Sequence, residues 1–432
     1  MPSKKHLLSG QTLAFKSSPF SDGPDAARCN ARGAVVVKDG RITDLGSAED
    51  MRAAHPDAAV TDYGNRLIMA GFIDAHVHYS QTGIVASWGK RLIDWLNSYT
   101  FPEEIAFSDD AYATKIADLY FDIALSHGVT TSASYCTVHP ASVDAFFTAA
   151  QKRGLRSIGG KKCMDRNAPE ELRDTPQSAY DDSKALITKW HGVGRLSYAV
   201  TPRFSPTSTP EQLEMVGALW AEHRDCLMQT HLSEQTDEVA WVKELYPNVR
   251  DYLDTYEQAG LIGKGAVMGH AIYLTERERA VMAETGTAVA HCPTSNTFIG
   301  SGLCDVGGLK DQGISIGLGT DTGGGSSFSM LRTMAAAYEI GQLRGNPLHP
   351  AHLLWLATVG SAESLCLGEK VGNLEVGKEA DLIVLDLAST PEIAQRSARA
   401  NDFWEAVFPT IMMGDDRAIH SVWANGKPLI TK

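Results

Sequence analysis

Leu67-Ile68-Met69-Ala70-Gly71-Phe72-Ile73-Asp74-Ala75-His76-Val77-His78 is an apolar run that ends on two histidines two residues apart. Its first part, Leu67–Ile73, predicts a buried strand. On an extended chain, residues i and i+2 point to one face, so His76 and His78 share a face. Two imidazoles at a strand end make half of a metal site. What the rest of the chain brings to that strand end decides how the pair is read.

Outward from this stretch, short apolar runs alternate with longer helical patterns. Seven more strands are predicted, at Val129–Tyr135, Leu155–Gly160, Leu196–Thr201, Cys226–Thr230, Ala266–Gly269, Thr287–Ala290 and Ile314–Gly317. Helical patterns such as Asp110–Ser126, Glu211–His223 and Ser329–Leu343 lie between them. Alternation of this kind argues for parallel β-α units, and eight units over roughly 300 residues suit an α/β fold, the (β/α)8 or TIM barrel. A doubly wound open sheet shares the alternation, and periodicity alone does not separate the two.

The ends of the chain differ from the middle. Ala34–Val37, the Asp39-Gly40 turn and Arg41–Leu45 form a hairpin signal. Ala380–Leu387 predicts a strand, and Ser421–Ala424, the Asn425-Gly426 turn and Lys427–Ile430 predict a second hairpin. The expectation is that both termini pair as a small composite β-sandwich around an inserted barrel. The corresponding segments are 1–66, 67–370 and 371–432.

Composition narrows the function classes. The 432 residues carry a net charge of −13, which favours solubility and argues against non-specific nucleic-acid binding. The N-terminus is basic at Lys4 and Lys5, but the apolar stretch that follows is too short and too polar for a signal peptide. No apolar run reaches the roughly 18 residues of a membrane span. The seven cysteines are scattered, with no C-x-x-C pair, as expected of free thiols in a reducing cytosol. The chain therefore reads as cytoplasmic, with neither nucleic acid nor membrane as a partner.

The other strand ends supply chemistry. The fifth runs into Thr230-His231-Leu232-Ser233-Glu234, the sixth into Gly269-His270 and the eighth into Gly319-Thr320-Asp321. A barrel brings these ends to one mouth. Neutral imidazoles with a carboxylate suit a divalent transition ion, zinc first and iron as the alternative. Thr322-Gly323-Gly324-Gly325 lacks the lysine of a phosphate loop and reads as close backbone approach at the barrel mouth. His291 and Asn296, at the seventh strand end, read as structural.

The stretches GFIDAHVHYSQTG (71–83), WLNSYTFPEE (95–104), KKCMDRNAPE (161–170), TPRFSPTS (201–208), THLSEQTDEVAWVKELYP (230–247), HCPTSNTFIGSG (291–302), GLGTDTGGGSSFSM (317–330) and GKEADLIVLD (377–386) resemble the amidohydrolase superfamily and, within it, the guanine deaminases. The likeness spans nearly the whole chain; the TPRF and HLSE segments are its specific part. It implies hydrolytic deamination of guanine to xanthine and ammonia, with one zinc held by His76, His78, His231 and Asp321. It further implies that Glu234 shuttles protons, that His270 positions the attacking water, and that Gln81, Arg203 and Phe204 read guanine. Trp95 and Leu96 would wall the pocket, with His231 and Glu234 also facing the substrate. A homodimer is implied, and Lys161 and Lys162 are expected to be structural rather than metal-bridging.

The residue chemistry agrees with that likeness. A bound zinc lowers the pKa of water toward roughly 7. Asp321 can ligate the metal and also accept the water proton. Glu234 lies three residues beyond His231, so one loop holds ligand and acid, and general acid–base help is worth roughly 10²–10⁴ in rate. The Arg203 fork suits a carbonyl oxygen, Gln81 offers both a donor and an acceptor, and Phe204 supplies an apolar wall. Adenine would leave such donors unpaired. Other deaminase substrates, namely 8-oxoguanine, an aminotriazine or a pterin, fit the same frame. A non-catalytic scaffold would be expected to have lost ligands that are all present here.

Overall fold

Four strands open the chain: β1 (His6–Phe15), β2 (Ala27–Lys38), β3 (Arg41–Ser47) and β4 (Ala59–Ala70). A computed structural model describes residues 5–89 and 91–432, so Lys4 of the basic N-terminal pair lies outside the described residues. Asp39 and Gly40 both adopt positive φ, 51° and 77°, and turn β2 tightly into antiparallel β3. Nine strands follow: β5 (Phe72–Val77), β6 (Val129–Tyr135), β7 (Arg156–Gly160), β8 (Lys162–Cys163), β9 (Leu196–Pro202), β10 (Leu227–Leu232), β11 (Ala266–His270), β12 (Ala288–His291) and β13 (Ile316–Leu318). The chain closes with β14 (Leu382–Leu385), β15 (Ile419–Ala424) and β16 (Lys427–Thr431).

The two ends meet in one seven-stranded sheet of order β16-β15-β14-β4-β1-β2-β3. The junction is antiparallel β4–β14, with Leu382 opposite Ala70 and Leu385 opposite Leu67. Apolar side chains at alternating positions, among them Leu8, Val35, Val37, Ile68, Leu382 and Val384, pack as the core of this composite domain. The termini are thus one structural unit, interrupted by the barrel.

The barrel strands neighbour one another in the order β13-β12-β11-β10-β9-β7-β6-β5, and β8 adds a short parallel pairing to β9. Apart from that two-residue strand, the order follows the sequence, which a doubly wound sheet does not do. The ring closes just beyond β13. Asp321 N donates to His76 O at 2.8 Å, and His78 N donates to Thr322 O at 2.7 Å. Asp74 draws the same seam together by accepting from Thr320 N at 3.0 Å and Thr320 Oγ1 at 2.5 Å. Helices cover the outside, for example Asp110–Ser126, capped by Asp109 and burying Ile116, Tyr120 and Phe121. None of the helices among the described residues is long and apolar enough to cross a membrane.

One strand expectation is corrected. Leu67–Ile73 is not a single barrel strand. Leu67–Ala70 belongs to β4 in the terminal sheet, Gly71 intervenes, and the barrel begins at Phe72. Both halves are buried, so the apolar pattern runs on without a break while the hydrogen-bond partners change. Periodicity reports burial, not the identity of the neighbour.

Candidate active site

The barrel strands end on the residues that sequence reasoning singled out. His76 and His78 follow from β5, His231 from β10, His270 from β11 and Asp321 from the turn after β13. All five are buried. His76 Nε2 and His78 Nε2 each lie 3.3 Å from Asp321 Oδ1, and His78 Nε2 lies 3.1 Å from His231 Nε2. One ligand atom from each of His76, His231, His270 and Asp321 falls within 4.8 Å of the others, and His78 reaches the group through His231 and Asp321.

The backbone is strained where these groups leave their strands. His270 has φ 68°, Ser233 φ 48° and Asp321 φ 47°, all in the left-handed region. Each such residue costs on the order of 1–3 kcal/mol, and strain of this sort concentrates at functional sites. The glycines after Asp321 meet the expectation of close approach, since a Cβ on Gly325 would stand 1.9 Å from Thr320 O.

The donor set fits a divalent cation. Burial first, and then the neighbouring His76 and His78, hold His231 well below the ordinary histidine range, and burial takes His78 down to about 3. Burial alone would lift Asp321, but His76 and His78 hold it well below the usual carboxylate range. The result is neutral His76, His78 and His231 rings around an ionised carboxylate. His231 Nδ1 donates to Arg203 O at 2.7 Å, which leaves its Nε2 lone pair facing the cluster. His76 Nε2 and His270 Nε2 are buried without a hydrogen-bond partner among the described residues. Orphaned, converging imidazole nitrogens beside a carboxylate call for a cation.

Glu234 faces the cluster from the loop after β10. Its Oε2 lies 3.5 Å from His270 Nε2, and its Oε1 accepts from Ser301 Oγ at 2.6 Å. Burial pushes the carboxyl up to about 7, against the opposing pull of the His270 charge. His270 moves the other way from burial. Burial would lower it, but Glu234 and Asp321 hold it above its ordinary value, and its Nδ1 lies 2.8 Å from Asn296 Oδ1. Asn296, read as structural, therefore touches a residue of the site, whereas both ring nitrogens of His291 lack partners among the described residues.

One cavity joins this cluster to the predicted reading residues. Gln81, Trp95, Leu96, Arg203 and Phe204 all line it, together with His231 and Glu234. Trp95, Leu96 and Phe204 belong to one apolar cluster with Leu92 and Ile299, which forms a dry wall beside the polar groups. Arg203 and Gln81 also line the cavity, backed by Glu104 and Lys162. Sequence reasoning passed over Glu104, Ser301, Leu92 and Ile299 and assigned Lys162 a structural role. Glu104, Lys162 and Ser301 lie inside the quoted stretches, but no spacing rule marks them.

Comparison with known proteins agrees with this geometry. The amidohydrolase family profile matches residues 67–429, and an imidazolonepropionase-like composite domain matches residues 33–58. A guanine deaminase of Escherichia coli (strain K12) is 42% identical over 396 residues, covering 91% of this chain and 90% of its own. Among solved structures, an E. coli guanine deaminase superposes with a TM-score of 0.96 at 40% identity, covering 99% of this chain and 100% of its own. A C. acetobutylicum guanine deaminase with guanine bound in its active site superposes with a TM-score of 0.90 at 28% identity, with the same coverage of both chains.

Proposed function

The chain belongs to the amidohydrolase family, and from that membership we propose that it hydrolyses guanine to xanthine and ammonia. The observation that carries this reading is a single cavity that joins the His/Asp cluster, the buried acid Glu234 and the wall of Arg203 and Gln81. Guanine deaminases at 40–42% identity over nearly the whole chain support the same substrate.

In this reading His76, His78, His231 and Asp321 hold one zinc, with iron as the alternative that metal analysis separates. When bound, the ion supplies the Lewis acidity that makes water nucleophilic near neutral pH. Glu234, lifted to about 7, is poised to carry and release a proton near neutral pH. It delivers that proton to the ring nitrogen beside the amino-bearing carbon, then takes up the second water proton as the carbonyl forms and passes it to the departing amine, and the proton held by Asp321 finally restores Glu234. Asp321 takes the proton that water gives up, and His270 orients the water. As the carbon–oxygen bond forms and the carbon–nitrogen bond breaks, one water becomes the new oxygen and ammonia leaves. Arg203 and Gln81 engage the ring carbonyl and its N–H while Trp95, Leu96 and Phe204 exclude solvent.

The reading extends to the whole protein. A net charge of −13 supports a free base over nucleic acid or membrane as the partner, and the thiols, five of seven buried, support a cytoplasmic location. The family likeness supports a homodimer. The chain divides into a composite terminal domain, 1–66 and 371–432, around a barrel at 67–370, except that Leu67–Ala70 pairs with β14 inside the terminal sheet, which moves the first boundary to Gly71.

The test is turnover. Metal-quantified protein is incubated with guanine, 8-oxoguanine and adenine while ammonia is followed. Guanine is expected to give xanthine with adenine untouched. Inert guanine with metal bound would move the substrate to another amino-heterocycle.

A further inference from the structure

Behind the reading wall lies a buried charge cluster that the proposed chemistry does not use. Glu104, in the helix Phe101–Ile105, and Lys162, in β8, are both fully buried and hydrogen-bonded to each other. One carboxylate atom, Glu104 Oε1, accepts from Lys162 Nζ and, at 2.8 Å, from Gln81 Nε2. Arg203 Nη1 stands 3.5 Å from the same oxygen. Three side chains from three separate strand ends thus converge on one acceptor. Gln81 and Arg203 also line the cavity, and Arg203 Nη1 has no hydrogen-bond partner among the described residues.

We propose that Glu104 and Lys162 are positioning residues that fix substrate specificity: they lock Gln81 and Arg203 into a pattern complementary to a lactam edge, a ring carbonyl beside a ring N–H. The proposal rests on the guanine reading above. A carboxylate accepts and never donates, so Gln81 must turn Nε2 toward Glu104. Its Oε1 is then the acceptor left for a ligand N–H, and the 3.4 Å approach of Gly323 N to that atom favours the same orientation. Burial would raise Glu104, but Lys162 and Arg203 hold it down to about 2, so it stays an acceptor across the neutral range. Lys162 occupies Oε1, which keeps Arg203 from closing a short pair with the same oxygen and leaves Nη1 free to donate to a carbonyl. Two cations against one carboxylate also leave this wall net positive, which suits an acceptor oxygen.

The test compares metal-loaded wild type with Glu104→Gln and with the double variant Glu104→Gln/Lys162→Met. The double variant avoids burying Lys162 alone, so it separates lost positioning from misfolding. The readouts are KM and kcat for guanine and competitive inhibition by 2-aminopurine, which keeps the amino-bearing carbon but lacks the lactam edge. In both variants KM for guanine is expected to rise about tenfold or more, while 2-aminopurine inhibition and metal content hold. Recovery of the wild-type guanine KM in the double variant, or a parallel loss of 2-aminopurine affinity, would overturn the proposal. If the wild type fails to turn over guanine, the functional reading falls by itself. A crystal structure of the double variant then decides: new Gln81 and Arg203 rotamers uphold positioning, and unmoved ones overturn it.

Discussion

Glu234, the proposed proton shuttle, occupies a position that costs the fold. It is 2% exposed, Ser301 Oγ donates to one of its oxygens, and His270 Nε2 lies 3.5 Å from the other. Replacing it with glutamine keeps the shape and removes the transferable proton. Glu234→Gln is expected to lower kcat by roughly 10²–10⁴ with metal content unchanged. Near-normal turnover at full metal occupancy would assign the proton transfer to another group. At this scale the sequence was informative for His76, His78, His231, His270, Asp321 and Glu234, because each carries rare chemistry at a strand end. Glu104 and Asn296 carry ordinary chemistry, and only their contacts with Gln81 and His270 make them matter.

The elements set the spacing of the site through how closely they approach. Gly269 in β11 has no side chain, and the His76 ring fills the space: a Cβ there would stand 2.6 Å from His76 Cε1. Gly269→Ala is therefore expected to push His76 aside and lower metal affinity by roughly 10–100-fold, with the circular-dichroism spectrum unchanged. Titration with zinc checks this, and wild-type affinity would mean that the ring has room to move. Most elements were legible. Val129–Tyr135 and Asp110–Ser126 form with the expected bounds, since strong apolar patterns and the Asp109 cap agree with the final packing. The β4–β5 division was not legible, because one apolar run serves two sheets.

For the molecule as a whole, the composite domain is tied to the base of the barrel by charge. Glu379, just before β14, accepts from Arg156 Nε at 2.8 Å and from Arg195 Nη2 at 2.6 Å, and Arg195 also pairs with Asp381. Burial would raise Glu379, but Arg156 and Arg195 together lower it. A lowered carboxyl stabilises the fold above its unfolded value, and that contribution is lost as pH falls through the folded value. Glu379→Gln leaves two arginines underpaired and is expected to cost roughly 3–5 kcal/mol at neutral pH. The gap to wild type should narrow as pH falls below the ordinary glutamate range and through the lowered value of folded Glu379. Urea unfolding across that range measures it; a gap independent of pH would show that the ion pairs are not its source.

By itself the sequence determined the kinds of element, their order and the chemical groups at the strand ends. Local periodicity, turn residues such as Asp39-Gly40 and Asn425-Gly426, and rare side chains are written one stretch at a time. Only the tertiary structure decided which strands share a sheet, how the barrel closes through Asp74 and Thr320, and which ordinary residues stand behind the reading wall. Those facts depend on contacts between residues far apart in the chain, such as Glu104 with Lys162 or Glu379 with Arg156. Side-chain pairing across such distances leaves no periodic trace in a single sequence.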